Sequence, residues 1–133
     1  MKKIGLITSG GDCPGLNACI RAVVRTAKYY NIEVIGFKRG FKGLIENDYT
    51  LLDYKTVAGI LQKGGTVLLT AREPRFKDHN FRKVAFENLQ KHNVDALFVI
   101  GGNGSFQGAY MLYKDFGLNV IGIPKTIDND IYG

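Results

Sequence analysis

Ala96-Leu97-Phe98-Val99-Ile100-Gly101-Gly102-Asn103-Gly104-Ser105 is the stretch whose reading decides the fold. Its unbroken apolar run has the pattern of a strand buried on both faces, which is the signature of a parallel sheet. The glycine- and amide-rich segment after it must turn, and the helical spacing over 106–116 makes that turn the entry to a helix. A helix entered from glycines offers unpaired N–H groups and the positive end of its dipole, a setting that suits an anion. Asn119-Val120-Ile121-Gly122-Ile123 is the next strand. Strand, helix and strand form a β-α-β unit, whose crossover is right-handed and whose strands are parallel.

The same grammar opens the chain. Lys3-Ile4-Gly5-Leu6-Ile7-Thr8-Ser9 is a short strand that runs into Gly10-Gly11-Asp12-Cys13-Pro14-Gly15. A helix is expected from 16 or 17 to 30, with Ile20, Val23, Val24 and Ala27 on one face. The spacing fits neither Gly-x-Gly-x-x-Gly nor the Walker pattern, so by itself a tight turn explains it as well as a phosphate cradle. Glu33-Val34-Ile35-Gly36-Phe37 is a further strand, followed over 38–43 by a loop expected to be basic and flexible, with Phe41 able to lie against an aromatic base. Residues 44–63 read as irregular structure with a short helix near 56–62.

Gly64-Gly65-Thr66 then leads into Val67-Leu68-Leu69-Thr70, read as another strand, which ends at Ala71-Arg72-Glu73-Pro74-Arg75. Arg72 at a strand's carboxyl end suits a surface salt bridge or a phosphate contact equally. Asp78 or Asn80 can cap a helix reaching about His92, with Val84, Phe86 and Leu89 among its apolar positions. These elements predict an α/β domain: a mostly parallel, doubly wound sheet with helices on both faces, Rossmann-like in plan. No repeat, linker or internal boundary is visible.

Pro124-Lys125-Thr126-Ile127-Asp128-Asn129-Asp130 follows the last of these strands. Open α/β sheets place their ligands at the carboxyl ends of strands. Asp128 and Asp130 alternate with Asn129, so in extended chain both carboxylates point the same way. One can take a proton while the other holds a metal or tunes its neighbour. An Asx-rich turn capping its own backbone is the plainer alternative.

Bulk composition narrows the partners. The chain has 133 residues, 45% hydrophobic and 23% charged, with 17 glycines gathered in short loops and a net charge of +6. The basic residues are scattered, which points to a solvated surface with a bias toward anionic ligands and not to a nucleic-acid module. Cys13 and Cys19 stand apart from His79 and His92 and lack metal-ligand spacing, which argues against zinc. The absence of a signal peptide or a bilayer-length apolar run leads to the expectation of a cytoplasmic protein without a membrane partner.

Taken in order, Thr8-Ser9-Gly10-Gly11-Asp12-Cys13-Pro14-Gly15-Leu16-Asn17, Gly64-Gly65-Thr66, Ala71-Arg72, Gly101-Gly102-Asn103-Gly104-Ser105 and Pro124 to Asp130 resemble the amino-terminal part of the phosphofructokinase family. The resemblance runs the whole length of the chain. It implies transfer of a phosphoryl group from ATP, or in some branches pyrophosphate, to the 1-hydroxyl of fructose 6-phosphate in glycolysis, with Mg2+. It implies a homo-oligomer, tetrameric in full-length members. Gly11, Gly102, Asn103, Gly104, Ser105 and Lys125 would line the donor site, and Arg72 would neutralise charge shared by donor and transferred group. Thr126 and Asp128 would meet the sugar phosphate, Asp128 being the general base. Asp130 would support Asp128 and, with Asn103, the magnesium. Arg21 and Arg25 would belong to an allosteric nucleotide diphosphate site.

Departures from the family pattern accompany the match. Asn103 stands where an aspartate associated with magnesium is usual. Gly104 resembles ATP users, whereas Lys125 resembles pyrophosphate and mixed-lineage members. Tyr54 and Gly59 replace the usual arginine and aspartate of the allosteric site. The family's chain is more than twice this length, so the 133 residues are expected to form the donor-binding domain, to lack the second domain and to be inactive alone. A nucleotide-binding paralogue without catalysis is the alternative.

Overall fold

The computed structural model describes residues 1–9, 16–62, 68 and 73–124. Among them the chain runs β1 (Lys3–Thr8), α1 (Leu16–Tyr29), β2 (Glu33–Phe37), α2 (Phe41–Glu46), β3 (Tyr49–Leu52), α3 (Tyr54–Gln62), a 3-10 turn (Pro74–Lys77), α4 (His79–Lys91), β4 (Ala96–Gly101), α5 (Asn103–Phe116) and β5 (Asn119–Pro124). The strands form one sheet in the order β3-β2-β1-β4-β5. The neighbours β2/β1, β1/β4 and β4/β5 are parallel, and β3 joins β2 antiparallel.

The apolar run read from the sequence is β4, at an interior position of the sheet and buried along almost its whole length. Side chains alternate across a strand, so β4 feeds two cores. Leu97 and Val99 join Ile7, Ile35 and Phe37 under α2, α4 and α5, where Leu44, Ala85, Leu89 and Leu112 pack. Ala96 and Ile100 join Ile4, Leu6 and Val34 under α1 and α3, where Ile20, Val24, Ala27 and Val57 pack. The expected sheet with helices on both faces is therefore present.

Several local expectations require correction. Residues 41–46 form helix α2, not a flexible loop. Phe41, Leu44 and Ile45 stand at i, i+3 and i+4, a helical apolar stripe that turns onto the sheet. Phe41 is 9% exposed and stacks on Phe76 with ring centroids 4.1 Å apart, so it is not available to an aromatic base. Asn47, in the left-handed region at φ 57°, ends α2, and the chain returns as β3, where irregular structure is expected from the sequence. In α4 the buried stripe is Ala85 and Leu89, while Val84 faces solvent at 39% exposure. Asp78 caps α4, its Oδ1 accepting the Asn80 N–H at 2.9 Å. Of the strand expected over 67–70 only Leu68 is described; it is fully buried.

Candidate phosphate site at the carboxyl end of the sheet

Strands β1 and β4 lie side by side and end together. Thr8 is in register with Ile100, and the Ser9 N–H donates to the Ile100 carbonyl at 2.9 Å. From these neighbouring ends the chain leaves in opposite directions. The connection after β1 passes through α1 on one face to β2, and that after β4 passes through α5 on the other face to β5. Such a reversal of strand order opens a crevice between the two carboxyl ends, the usual ligand position in open α/β sheets.

Helix α5 presents its N-terminus there. It begins at Asn103, three residues before the sequence-based start, so Asn103, Gly104 and Ser105 form the helix's own first turn and not a loop ahead of it. Gly102 is the N-cap in extended conformation, with no side-chain cap and no acidic residue in the first turn. The first N–H groups of a helix have no intrahelical acceptor, so those of Asn103, Gly104 and Ser105 retain their donor capacity and the dipole's positive end is not offset.

The glycines of this motif have two distinct reasons. At Gly101 a Cβ would lie 2.6 Å from Ser105 Oγ and 3.0 Å from the Ser9 carbonyl, so only glycine lets the strand end meet the helix. At Gly102 and Gly104 a Cβ would meet nothing within 4 Å. Packing does not account for these two, and the space beside them is open. Gly102, Asn103 and Gly104 are exposed and Ser105 is buried.

Among the sequence-predicted site residues, the structure thus brings Gly102, Asn103, Gly104 and Ser105 together on one helical turn. Arg21 and Arg25 are exposed on α1, on the other face of the sheet. Tyr54 holds the Lys28 ammonium 4.3 Å from its ring centroid, beside a cavity of about 440 Å³. Gly11, Arg72, Lys125, Thr126, Asp128 and Asp130 lie outside the described residues. The Thr8 hydroxyl, fully buried, donates to the Leu68 carbonyl at 3.2 Å. Pro124 is in register with Gly101, so β5 reaches the same end of the sheet as β4.

Sequence reasoning missed a charged clasp just after Arg72. Glu73 caps the 3-10 turn, and Arg75 grips its carboxylate twice, Nη2 to Oε1 at 2.6 Å and Nε to Oε2 at 2.9 Å. The same guanidinium reaches Glu46 at the end of α2, at 3.1 Å. Hydrogen bonds from Arg75 hold the Glu73 carboxyl below its ordinary range against the opposing effect of burial. Behind it, buried Arg82 donates to the Phe76 and Lys77 carbonyls and to Asp115. Burial would raise the Asp115 carboxyl, but bonds from Arg82 and His79 outweigh it and lower the value. Among the described residues no cluster of three or more His, Cys, Asp or Glu could hold a metal, and no helix is long and apolar enough to cross a membrane.

A family model described as phosphofructokinase matches residues 3–133. The chain belongs to the phosphofructokinase family. It is 87% identical over 133 residues to the ATP-dependent 6-phosphofructokinase of Sulfurihydrogenibium sp. and 65% identical to that of Persephonella marina, in each case over 100% of this chain and 41% of the relative. The chain thus spans about two-fifths of the curated phosphofructokinases it matches. Among solved structures, Pichia pastoris phosphofructokinase in the T-state aligns at a TM-score of 0.86 and 36% identity, covering 97% of this chain and 16% of that one. A pyrophosphate-dependent phosphofructokinase from Marinobacter aquaeolei aligns at 0.74 and 20% identity, over 93% of this chain and 33% of its own, a likeness of fold alone.

Proposed function

We propose that this chain is the phosphoryl-donor domain of an ATP-dependent 6-phosphofructokinase, a cytoplasmic, homo-oligomeric enzyme of glycolysis whose second domain lies outside these 133 residues. The observation that carries the reading is the uncapped, glycine-cleared N-terminus of α5 at the switch point between β1 and β4. Phosphoryl transfer asks a protein mainly for positioning and for charge stabilisation. N–H groups of Asn103, Gly104 and Ser105 supply donors for phosphate oxygens, and Gly11 and Lys125 complete the donor site. Asp128 takes the proton of the fructose 6-phosphate 1-hydroxyl as its oxygen bonds the γ-phosphorus and the bond to ADP breaks. Thr126 orients the sugar, Arg72 offsets charge on the transferred group, and Asp130 supports Asp128.

The described residues fit Mg2+ carried on donor phosphates. This ion takes one or two protein ligands and fills its shell with water and phosphate oxygens. Exposed Asn103 offers one amide oxygen beside the phosphate donors, and Asp130 would add a carboxylate. When bound, the ion neutralises charge developing on the phosphates. ATP is favoured over pyrophosphate as donor by the open space at Gly104 and by relatives of 87% and 65% identity that carry the ATP-dependent name. One observation favours a non-catalytic nucleotide-binding paralogue: the amide at Asn103 lacks the charge a hard cation prefers.

A chimera carrying this chain in place of the matching segment of the Sulfurihydrogenibium enzyme tests the proposal. The expected result is ATP-dependent phosphorylation of fructose 6-phosphate, weaker use of pyrophosphate, and a loss on the order of a thousandfold in Asp128→Asn, as befits a general base. An inactive chimera that still binds ATP would establish the paralogue instead.

A further inference from the structure

The first turn of α5 meets the sheet on two strands. Ser105 is buried against Gly101 of β4. Phe106 lies over Gly122 of β5, where a Cβ would stand 2.9 Å from ring atoms Cδ1 and Cε1 and 3.3 Å from Cγ. We propose that Phe106, seated on Gly122, is a positioning residue for the phosphoryl donor: the contact sets how closely this turn approaches β5, and so where the N–H groups of Asn103, Gly104 and Ser105 point. The inference rests on the reading that donor phosphates bind at this turn.

Gly102, Asn103 and Gly104 are exposed, so the turn that carries the donors is held down by Ser105 and Phe106. The other buried residues of α5, Ala109 and Leu112, lie farther along the helix. The Phe106 N–H donates to the Gly102 carbonyl at 3.0 Å and closes the turn, so a displacement of Phe106 carries the neighbouring N–H groups with it. Gly122 is in register with Val99 and shares a strand face with Val120, which packs against the core beneath α5. A β-branched residue is the ordinary occupant of such a position, and glycine inside a strand marks a close approach. A larger apolar side chain at 122 under a smaller one at 106 would fill the same space, so burial alone does not call for this pair. An aromatic ring on bare backbone instead defines one distance between helix and strand. Flipping the ring leaves Cγ in place, so a Cβ at 122 has to shift the helix or turn the side chain out of its seat.

Restoring ordinary carbon–carbon contact from 2.9 Å moves Phe106 by about 0.5–1 Å. A misplacement of that size costs on the order of tenfold or more in a positioned reaction. In the chimera, Gly122→Ala should therefore raise KM for ATP on the order of tenfold and leave KM for fructose 6-phosphate within about twofold of the parent. Partial unfolding lowers the active fraction, and with it kcat, without this split between the two KM values. Gly122→Ala/Phe106→Leu exchanges ring atoms for a methyl and should return KM for ATP to within about threefold of the parent, a recovery that independent sites do not show. If Gly122→Ala does not fold, Phe106→Leu alone decides: it removes the ring from the seat and should raise KM for ATP about threefold. Unchanged KM for ATP in Gly122→Ala or, in its place, Phe106→Leu, an equal rise for fructose 6-phosphate, or no recovery in the pair would overturn the proposal. A loss of ATP use in Gly104→Asp would show that the phosphate reading stands regardless. Unchanged ATP kinetics in both Gly104→Asp and Gly122→Ala would overturn both.

Discussion

Gly104→Asp should make the protein more stable and a poorer user of ATP. Gly104 sits in the first turn of α5, exposed, with empty space where its Cβ would be. Replacing glycine within a helix recovers a few tenths of a kcal/mol of propensity. A carboxylate at an uncapped N-terminus adds about 0.3–1 kcal/mol from the dipole. The expected gain is about 1 kcal/mol, or roughly 1–2 °C in the melting midpoint of a protein the size of the chimera. The same carboxylate would stand about 5 Å from a phosphate seated on the helix, a repulsion of about 3.3 kcal/mol between unit charges at an effective dielectric of 20. That corresponds to roughly a 250-fold fall in kcat/KM for ATP.

Thermal denaturation and coupled-assay kinetics of the chimera measure both effects, with Gly104→Ala as the control that adds a side chain without charge. The ATP loss should exceed any loss with pyrophosphate. A stabilised Gly104→Asp protein with unchanged ATP kinetics would refute the placement of phosphate at α5. A destabilised one would refute the claim that this turn is uncapped and open.

Two further outcomes follow from the same structure. Asn103→Asp should raise Mg2+-dependent activity and lower the Mg2+ concentration needed for half-maximal rate, by a fewfold in each case; an unchanged magnesium titration would show that residue 103 does not touch the ion. Asp115 has its carboxyl held below the ordinary 3.8, so its contribution to stability is complete above that value and disappears as pH falls through the lower, folded value. Asp115→Asn should therefore flatten the decline in melting midpoint below about pH 4, and an identical acid decline in both proteins would contradict the assignment.

What could be read from the sequence was the part governed by local pattern. The continuous run that became β4 and the stripe Ile20, Val24 and Ala27 on α1 each announce burial by spacing alone. Helix α2 and strand β3 escaped because they have 6 and 4 residues, and because Gly43 inside α2 looks like a loop residue. That glycine is required by packing, since a Cβ there would collide with the Lys38 carbonyl. Sequence spacing puts the start of α5 at 106 because asparagine, glycine and serine are weak helix formers, yet they are at ease in a first turn. The charged clasp was beyond reach for another reason. Arg75 meets Glu46 across 29 positions and Arg82 meets Asp115 across 33, and no local pattern encodes such pairs. At the site, the phosphate-facing turn was legible as a glycine motif, but only the fold shows that Gly101 packs whereas Gly102 and Gly104 leave space.

A crystal structure of the chimera with Mg2+ and a non-hydrolysable ATP analogue tests the central claim most directly. Phosphate oxygens should lie about 2.7–3.2 Å from the backbone nitrogens of Asn103, Gly104 or Ser105, at the β1–β4 crevice. An analogue whose phosphates sit elsewhere, for instance beside Arg21 and Arg25 on α1, with the first turn of α5 untouched, would contradict it.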